Sequence, residues 1–343
     1  MKMTMMTLSL SLLLALPALA VETTQPLTHA ASLMGKADLA KLRLDVMADR
    51  LARPAAYDLA KLAVGCRPEG WMQARSPEPS CAREMRALGA NGLLPMLSAL
   101  TLEWRPAGFS TDSKQLQKEQ RALTVAMVDA VGLLRDLRAR PVLLALWKEA
   151  ATEAEMHVEM GRQMTIARAV AEALGRMGGA VELQALQTRL AVQSRLAVQD
   201  KLRLAAIAGL GACKRQEAAQ SLVMVLGTAR GPASSATDAS ALTEQAWIVQ
   251  AMGAVASSWA WEALGPTRAQ DGLAVRTRVT EALLPLLVKN VGPARERVVQ
   301  SLQLADLPTL PAKLAALRLN ADPTLQHDID DLLGRVARAH ASL

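Results

Sequence analysis

Aromatic side chains are nearly missing from this chain: among 343 residues stand one Phe (Phe109), one Tyr (Tyr57) and six Trp. Strand formers are correspondingly scarce, and Thr is scattered, which disfavours a sandwich or barrel built on aromatic and β-branched pairs. Cysteine is limited to Cys66, Cys81 and Cys213, with no Cys-x-x-Cys, so zinc-ribbon and thioredoxin-like chemistry is excluded. Uninterrupted apolar runs never approach the length of about 18 residues that a membrane span needs. The strongest, Pro141 to Trp147 and Ala282 to Val288, are short and flanked by charge. A soluble mature protein is expected. Gly-x-Ser-x-Gly and Gly-x-x-x-x-Gly-Lys are also absent, which removes the serine-hydrolase elbow and the phosphate loop. Four histidines occur, His29, His157, His327 and His340. Around His157 stand the carboxylates Glu153, Glu155 and Glu159. One His among glutamates is a solvated helix end rather than a metal site. No catalytic, cofactor or metal residues are assigned, and the chain is not expected to be an enzyme.

What is present is a composition 51% apolar, dominated by Ala, Leu, Val and Met. The small and unbranched side chains among them carry good helix propensity and let helices approach closely. An all-α fold is predicted. The formal net charge of +7 is spread as Arg135/Arg138/Arg140, Arg295/Arg297 and Arg335/Arg338 rather than gathered in one tract. Solvated helix faces account for most of it.

The N-terminus carries Lys2, an apolar stretch from Leu8 to Leu16 and the small-residue run Pro17-Ala18-Leu19-Ala20. That order of basic, apolar and small residues is expected of a secretory signal peptide (1–20) cleaved after Ala20, and implies export to a bacterial periplasm or the medium. A flexible lead-in follows over 21–36, then a single domain over 37–343. Connector loops are expected near 66–81, 105–114 and 227–241, where Pro, Gly and Ser collect.

One signal recurs along the domain: Ala87-Leu88-Gly89, Ala130-Val131-Gly132, Ala173-Leu174-Gly175, Gly209-Leu210-Gly211 and Ala251-Met252-Gly253. The last glycines lie 43, 43, 36 and 42 residues apart. Periods of this size mark stacked helix pairs. The glycines are read as helix-ending turns, with Gly211 in the left-handed conformation before a polar reversal over Cys213 to Gln216. Leu202, Ala206 and Gly209 share one face of a first helix, and Ala218, Leu222 and Val225 one face of a second. Neither face can be hidden within a single pair, so the units must stack. A further second helix is expected at Ala260 to Leu264. Val275 to Val288 and Ala294 to Leu304 form another pair with a doubtful boundary, and Lys36 to Val64 and Gln326 to Ala341 are candidate end caps with polar outer faces.

The run Asp200-x-x-Arg203-x-x-Ala206-x-x-Gly209-Leu210-Gly211 resembles the HEAT-type repeat, particularly its short bacterial variety. Arg168-x-x-Ala171-x-Ala173-Leu174-Gly175 resembles a second copy. The resemblance implies an α-solenoid with a right-handed superhelix. It also implies packing and inter-repeat hydrogen bonding for Arg168 and Arg203. One HEAT-type hydroxylase family holds two irons through His-Glu dipeptides, and this sequence has none. The implied function is an exported scaffold or adaptor that binds an unidentified protein or peptide on the concave face of the second helices. Two alternatives are a basic groove for an anionic polymer such as nucleic acid, for which export makes DNA an improbable target, and a lyase-associated HEAT-like protein. Cys66 and Cys81 bracket a Pro-rich stretch, and export predicts that they form a disulfide. Cys213 is then a buried, inert thiol. Of the tryptophans, the Trp259/Trp261 pair reads as packing rather than a ligand groove.

Overall fold

The computed structural model describes residues 25–58, 81–104, 112–156, 164–191, 197–228 and 239–341. Sixteen α-helices cover most of them. The first four are α1 (Ala30–Leu33), α2 (Lys36–Ala52), α3 (Ala82–Ala87) and α4 (Leu93–Thr101). The centre holds α5 (Ser113–Leu134), α6 (Arg140–Met156), α7 (Met164–Met177), α8 (Ala180–Ala191), α9 (Ala197–Ala212) and α10 (Gln216–Thr228). The remainder are α11 (Ala239–Val255), α12 (Ser258–Glu262), α13 (Ala269–Lys289), α14 (Pro293–Ala305), α15 (Leu310–Arg318) and α16 (Pro323–Ala341). Among the described residues the β-structure is one isolated bridge, between Gln25 and Trp104. The all-α expectation is met.

Neighbour relations repeat along the chain. In a first series, α3 packs on α5, α5 on α7, α7 on α9, α9 on α11 and α11 on α14. A second series runs from α6 to α8, α10 and α13, with cross-contacts such as α7 to α8, α9 to α10 and α13 to α14. Leu174, Leu186, Ile207, Leu210 and Leu222 are fully buried where the two series meet.

The recurrent glycines work differently from the expectation. Gly132, Gly175, Gly209, Gly211 and Gly253 all lie inside helices of the first series, and none has positive φ. They are places where one helix touches the next. A Cβ on Gly175 would overlap the Gly209 carbonyl, and one on Gly209 would lie 2.5 Å from the Ala171 carbonyl oxygen. Gly132 meets the Ala173 backbone at 2.6 Å, Gly211 the Ala251 backbone at 2.9 Å and Gly253 the Ser301 hydroxyl at 2.8 Å, by the same measure. Of the five signals only Ala87-Leu88-Gly89 ends a helix, with Gly89 at φ +54°. The other glycines therefore mark contacts between successive first-series helices, not the helix-ending turns expected.

Two boundaries also change. The second-series partner of α11 is α13, which packs on α10, whereas Ala260 to Leu264 falls on the short α12 and the turn after it. α14 then joins the first series beside α11, rather than serving as a second helix to α13. Pro285 lies inside α13 without ending it; the break comes at Gly292, φ +56°, followed by Pro293 as the first helical residue of α14.

The lead-in is docked from Gln25 onward rather than loose. Leu27 and Thr28 amides donate to the Ala99 and Leu100 carbonyls at 3.0 and 3.2 Å, and the Trp104 amide donates to the Gln25 carbonyl at 2.9 Å. The His29 amide donates to buried Glu149 at 2.7 Å. With α1 also packed on α6, helix α4 is buried along all of Leu93–Thr101. An all-round apolar helix needs such cover.

Most of the connector at 105–114 and of that at 227–241 lies outside the described residues, as does all of 66–81 except Cys81. Where visible, their ends are helical: Asp112 caps α5 by accepting from the Lys114 amide at 3.2 Å, Gly227 and Thr228 close α10, and Ala239 opens α11.

The reversal after α9 ties several elements together. The Lys214 ammonium donates to the Ala254 carbonyl near the end of α11. Arg215 donates to the Gly178 carbonyl beyond α7 at 3.1 Å, and Arg268 donates to the Lys214 carbonyl at 2.9 Å. Cations at helix C-termini are favoured by the unpaired carbonyls and the helix dipole. Cys213, at the start of this reversal, is free and fully buried.

Candidate functional site

The second-series helices present the surface on which a partner was expected. Outward positions are Val181, Gln184 and Thr188 on α8, Gln220 and Met224 on α10, and Leu273 on α13. Val181 and Met224 are 49% and 58% exposed, high for large apolar side chains on elements otherwise well packed. Gln187 donates to the Ser221 hydroxyl at 2.9 Å and fixes α8 against α10 beneath this surface. The outward side chains of α8 and the centre of α10 mix methyl-rich and amide groups, whereas Glu217 at the start of α10 and Arg278, Glu281 and Lys289 on α13 add exposed charge of both signs. Such a lining supplies apolar contact with scattered hydrogen bonds, as a polypeptide requires.

A polyanion would need a different lining. Arg189 is the one basic residue on α8 and α10 has none, while the exposed Arg278 and Lys289 of α13 are separated by Glu281 and form no continuous basic tract. Most central arginines are instead engaged in ion pairs within the helical array. Arg176 and Arg86 approach Asp129 at 2.7 and 3.7 Å, Arg203 holds Glu244 at 2.8 Å, and Arg140 holds the fully buried Glu182 at 2.5 Å. Arg203 also donates to the Leu190 carbonyl, so it links α8, α9 and α11. Arg168 binds Glu172 at 2.7 Å within its own helix and lies 4.8 Å from the Trp247 ring centre. Both arginines of the HEAT-like runs are therefore structural. Arg295, assigned to a solvated face, is instead 3% exposed and donates to Asn290 and Asp328 at 2.6 and 2.8 Å.

Trp261 is buried, its indole N–H donating to the Val255 carbonyl at 2.7 Å, while Trp259 is 68% exposed. The pair thus splits, one ring packing and one facing out.

Burial shifts two groups at the reversal after α9. Burial pushes the Cys213 thiol up to about 11, away from the reactive thiolate. Burial pulls neighbouring Lys214 down to about 8. Lys214 escaped sequence reasoning because nothing in Cys213-Lys214-Arg215 distinguishes a surface turn from a half-buried one.

Among the described residues no three His, Cys, Asp or Glu side chains gather closely enough for a metal ion, and no helix is long and apolar enough to cross a membrane. His157 and Glu159 lie outside the described residues, as do Ala20 and Cys66. Cys81 is buried at the start of α3. No protein-family model matches this chain, and no curated protein matches it.

Proposed function

We infer that this protein is a non-catalytic scaffold of HEAT-like helix pairs stacked as an α-solenoid, which holds a protein or peptide along the surface of α8, α10 and α13. The observation that carries the reading is the neighbour relation repeated from α3 through α14, with small residues at the joints from α5 to α14. A stack of this kind grows by addition and presents a continuous surface, whose concave side the second helices would line in a right-handed superhelix. Neutral, partly apolar exposure at Val181 and Met224 favours polypeptide over polyanion. Export after cleavage at Ala20, with Cys66 and Cys81 joined in the oxidising compartment, completes the reading. Burial of Cys81 and the free state of Cys213 support that pairing.

Chemical crosslinking in a native envelope extract tests the function. The wild-type chain should retain a partner that a Val181→Glu/Met224→Glu variant of unchanged melting temperature loses. Equal capture by both forms, or binding of nucleic acid that falls steeply with salt, would overturn the reading.

A further inference from the structure

The two ends of the helical array differ. At the C-terminal end α16 buries Leu325, Ile329, Leu332 and Val336 and turns polar groups outward, with Asp330 paired to Arg318 at 2.7 Å. That is the polar cap expected there. At the N-terminal end α2 breaks the expectation. It buries Leu42 and Val46 and packs on α4 and the turn Pro54–Tyr57, yet Leu44, Met47 and Leu51 are 62%, 57% and 81% exposed. Ala37 and Ala40 are exposed as well. Positions 37, 40, 44, 47 and 51 alternate steps of three and four, the spacing of a coiled-coil seam. α2 thus has two apolar faces, one used by the fold and one left outward.

The flanks of the outward face say what would cover it. Lys36, Arg43 and Arg50 follow one another at seven-residue steps along one edge. Arg50 is paired with Glu103 and lies 4.6 Å from the Tyr57 ring centre, whereas Lys36 and Arg43 are exposed. Lys41 on the opposite edge is held by Asp45 at 2.8 Å. Beside the basic edge lies a cleft of about 240 Å³ lined by Arg43, Val46, Met47, Arg50, Leu51, Leu102 and Glu103. Its floor is apolar and its rim carries Arg43.

A second copy of the chain is disfavoured. Antiparallel pairing of two such seams sets Arg43 against Arg43 and Lys36 against Arg50, while parallel pairing sets Lys36 against Lys41. A lipid surface would take up the stripe but leave the concave cleft unfilled. We propose that the outward face of α2 and its cleft dock an amphipathic helix of a partner protein, with an apolar anchor side chain in the cleft and acidic residues along Lys36 and Arg43. This is a separate surface from that of α8, α10 and α13, and stands or falls independently of it.

The test uses two fluorescent three-heptad peptides with Leu at both seam positions, one flanked by Glu and the other by Lys. Anisotropy titration of the full chain should give saturable binding of the Glu peptide, roughly tenfold tighter than the Lys peptide. Leu44→Ser/Met47→Ser should weaken it roughly tenfold or more, and Lys36→Glu/Arg43→Glu should reverse the preference between peptides. The charge-reversal variant keeps every buried side chain, so it reads the proposal even where the serine variant melts early. No saturable binding of the Glu peptide, or equal binding of both peptides, would overturn the proposal. So would a loss of sedimentation mass in the serine variant, which assigns the face to a second copy. Binding to anionic phospholipid vesicles without binding of either peptide would likewise overturn it, assigning the face to a membrane.

Discussion

Gly175 and Gly209 meet where two helices come within backbone contact, and no larger residue fits there without moving α7 from α9. Gly209→Val places new carbon atoms against the Ala171 carbonyl and is expected to cost roughly 3 kcal/mol, read as a lower melting temperature. Gly227, helical and with nothing within 4 Å of where a methyl group would stand, is the control. Gly227→Ala should stabilise by about 0.5 to 1 kcal/mol, because it removes chain freedom and adds no clash. The reversal after α9 supplies a second residue-scale prediction. Lys214 has its value lowered from 10.5 to about 8, so the folded state binds fewer protons than the unfolded state between those values. Stability attributable to Lys214 therefore rises with pH across that window. Cys213 has its value raised from 9.0 to about 11, so its contribution is present below about 9 and falls as pH rises towards 11. Denaturant titrations from pH 7 to about 11 should lose the rising component in Lys214→Met and the falling component in Cys213→Ala.

Among elements, the ties between successive helices differ in strength because they differ in burial. Arg295 is nearly enclosed and serves two acceptors, on the turn before α14 and on α16. Arg295→Ala is expected to cost about 2 to 3 kcal/mol by leaving the Asn290 carbonyl and Asp328 without their donor. Arg168, 39% exposed at its side chain and paired within its own helix, should cost less than about 1 kcal/mol when changed to Ala. Thermal melts of the two variants check the ranking. Much at this scale was legible in sequence: helix-forming composition and the glycine period located α5, α7, α9 and α11. The pairing partners were less legible, since α12 and α13 both carry apolar faces and only packing on α10 decides between them. Glycine in a helix and glycine after one look alike in a sequence, so the small-residue joints were mistaken for turns. The outward seam of α2 was visible as three-four spacing at Ala37, Ala40, Leu44, Met47 and Leu51, but the interleaved Leu42 and Val46 hid it. Which of two apolar faces is buried follows from neighbours far away in sequence, here α4.

For the whole molecule, the repeated neighbour relation predicts an extended particle. A compact globule of about 320 residues has a radius of gyration near 20 Å, and X-ray scattering should return a clearly larger value. Oxidation state belongs to this scale too, because the bond proposed between Cys66 and Cys81 would fasten the chain ahead of α3. Non-reducing peptide mapping of protein from the envelope should recover a Cys66–Cys81 peptide and an alkylatable Cys213 thiol. A Cys66–Cys213 link would refute the pairing.

The joints of the first series have one more consequence, and it is mechanical. Where Gly175 rests on Gly209, backbone meets backbone with no side chain between them to yield, so the α7–α9 contact is stiff under compression and shear. At the α11–α14 joint Gly253 meets Ser301 instead, whose hydroxyl is held by the Val249 carbonyl at 2.9 Å. A side chain bonded to the neighbouring helix resists sliding while leaving some freedom to rotate about the contact. Sliding at the α11–α14 joint would therefore break a hydrogen bond, whereas sliding at the α7–α9 joint would drive backbone into backbone.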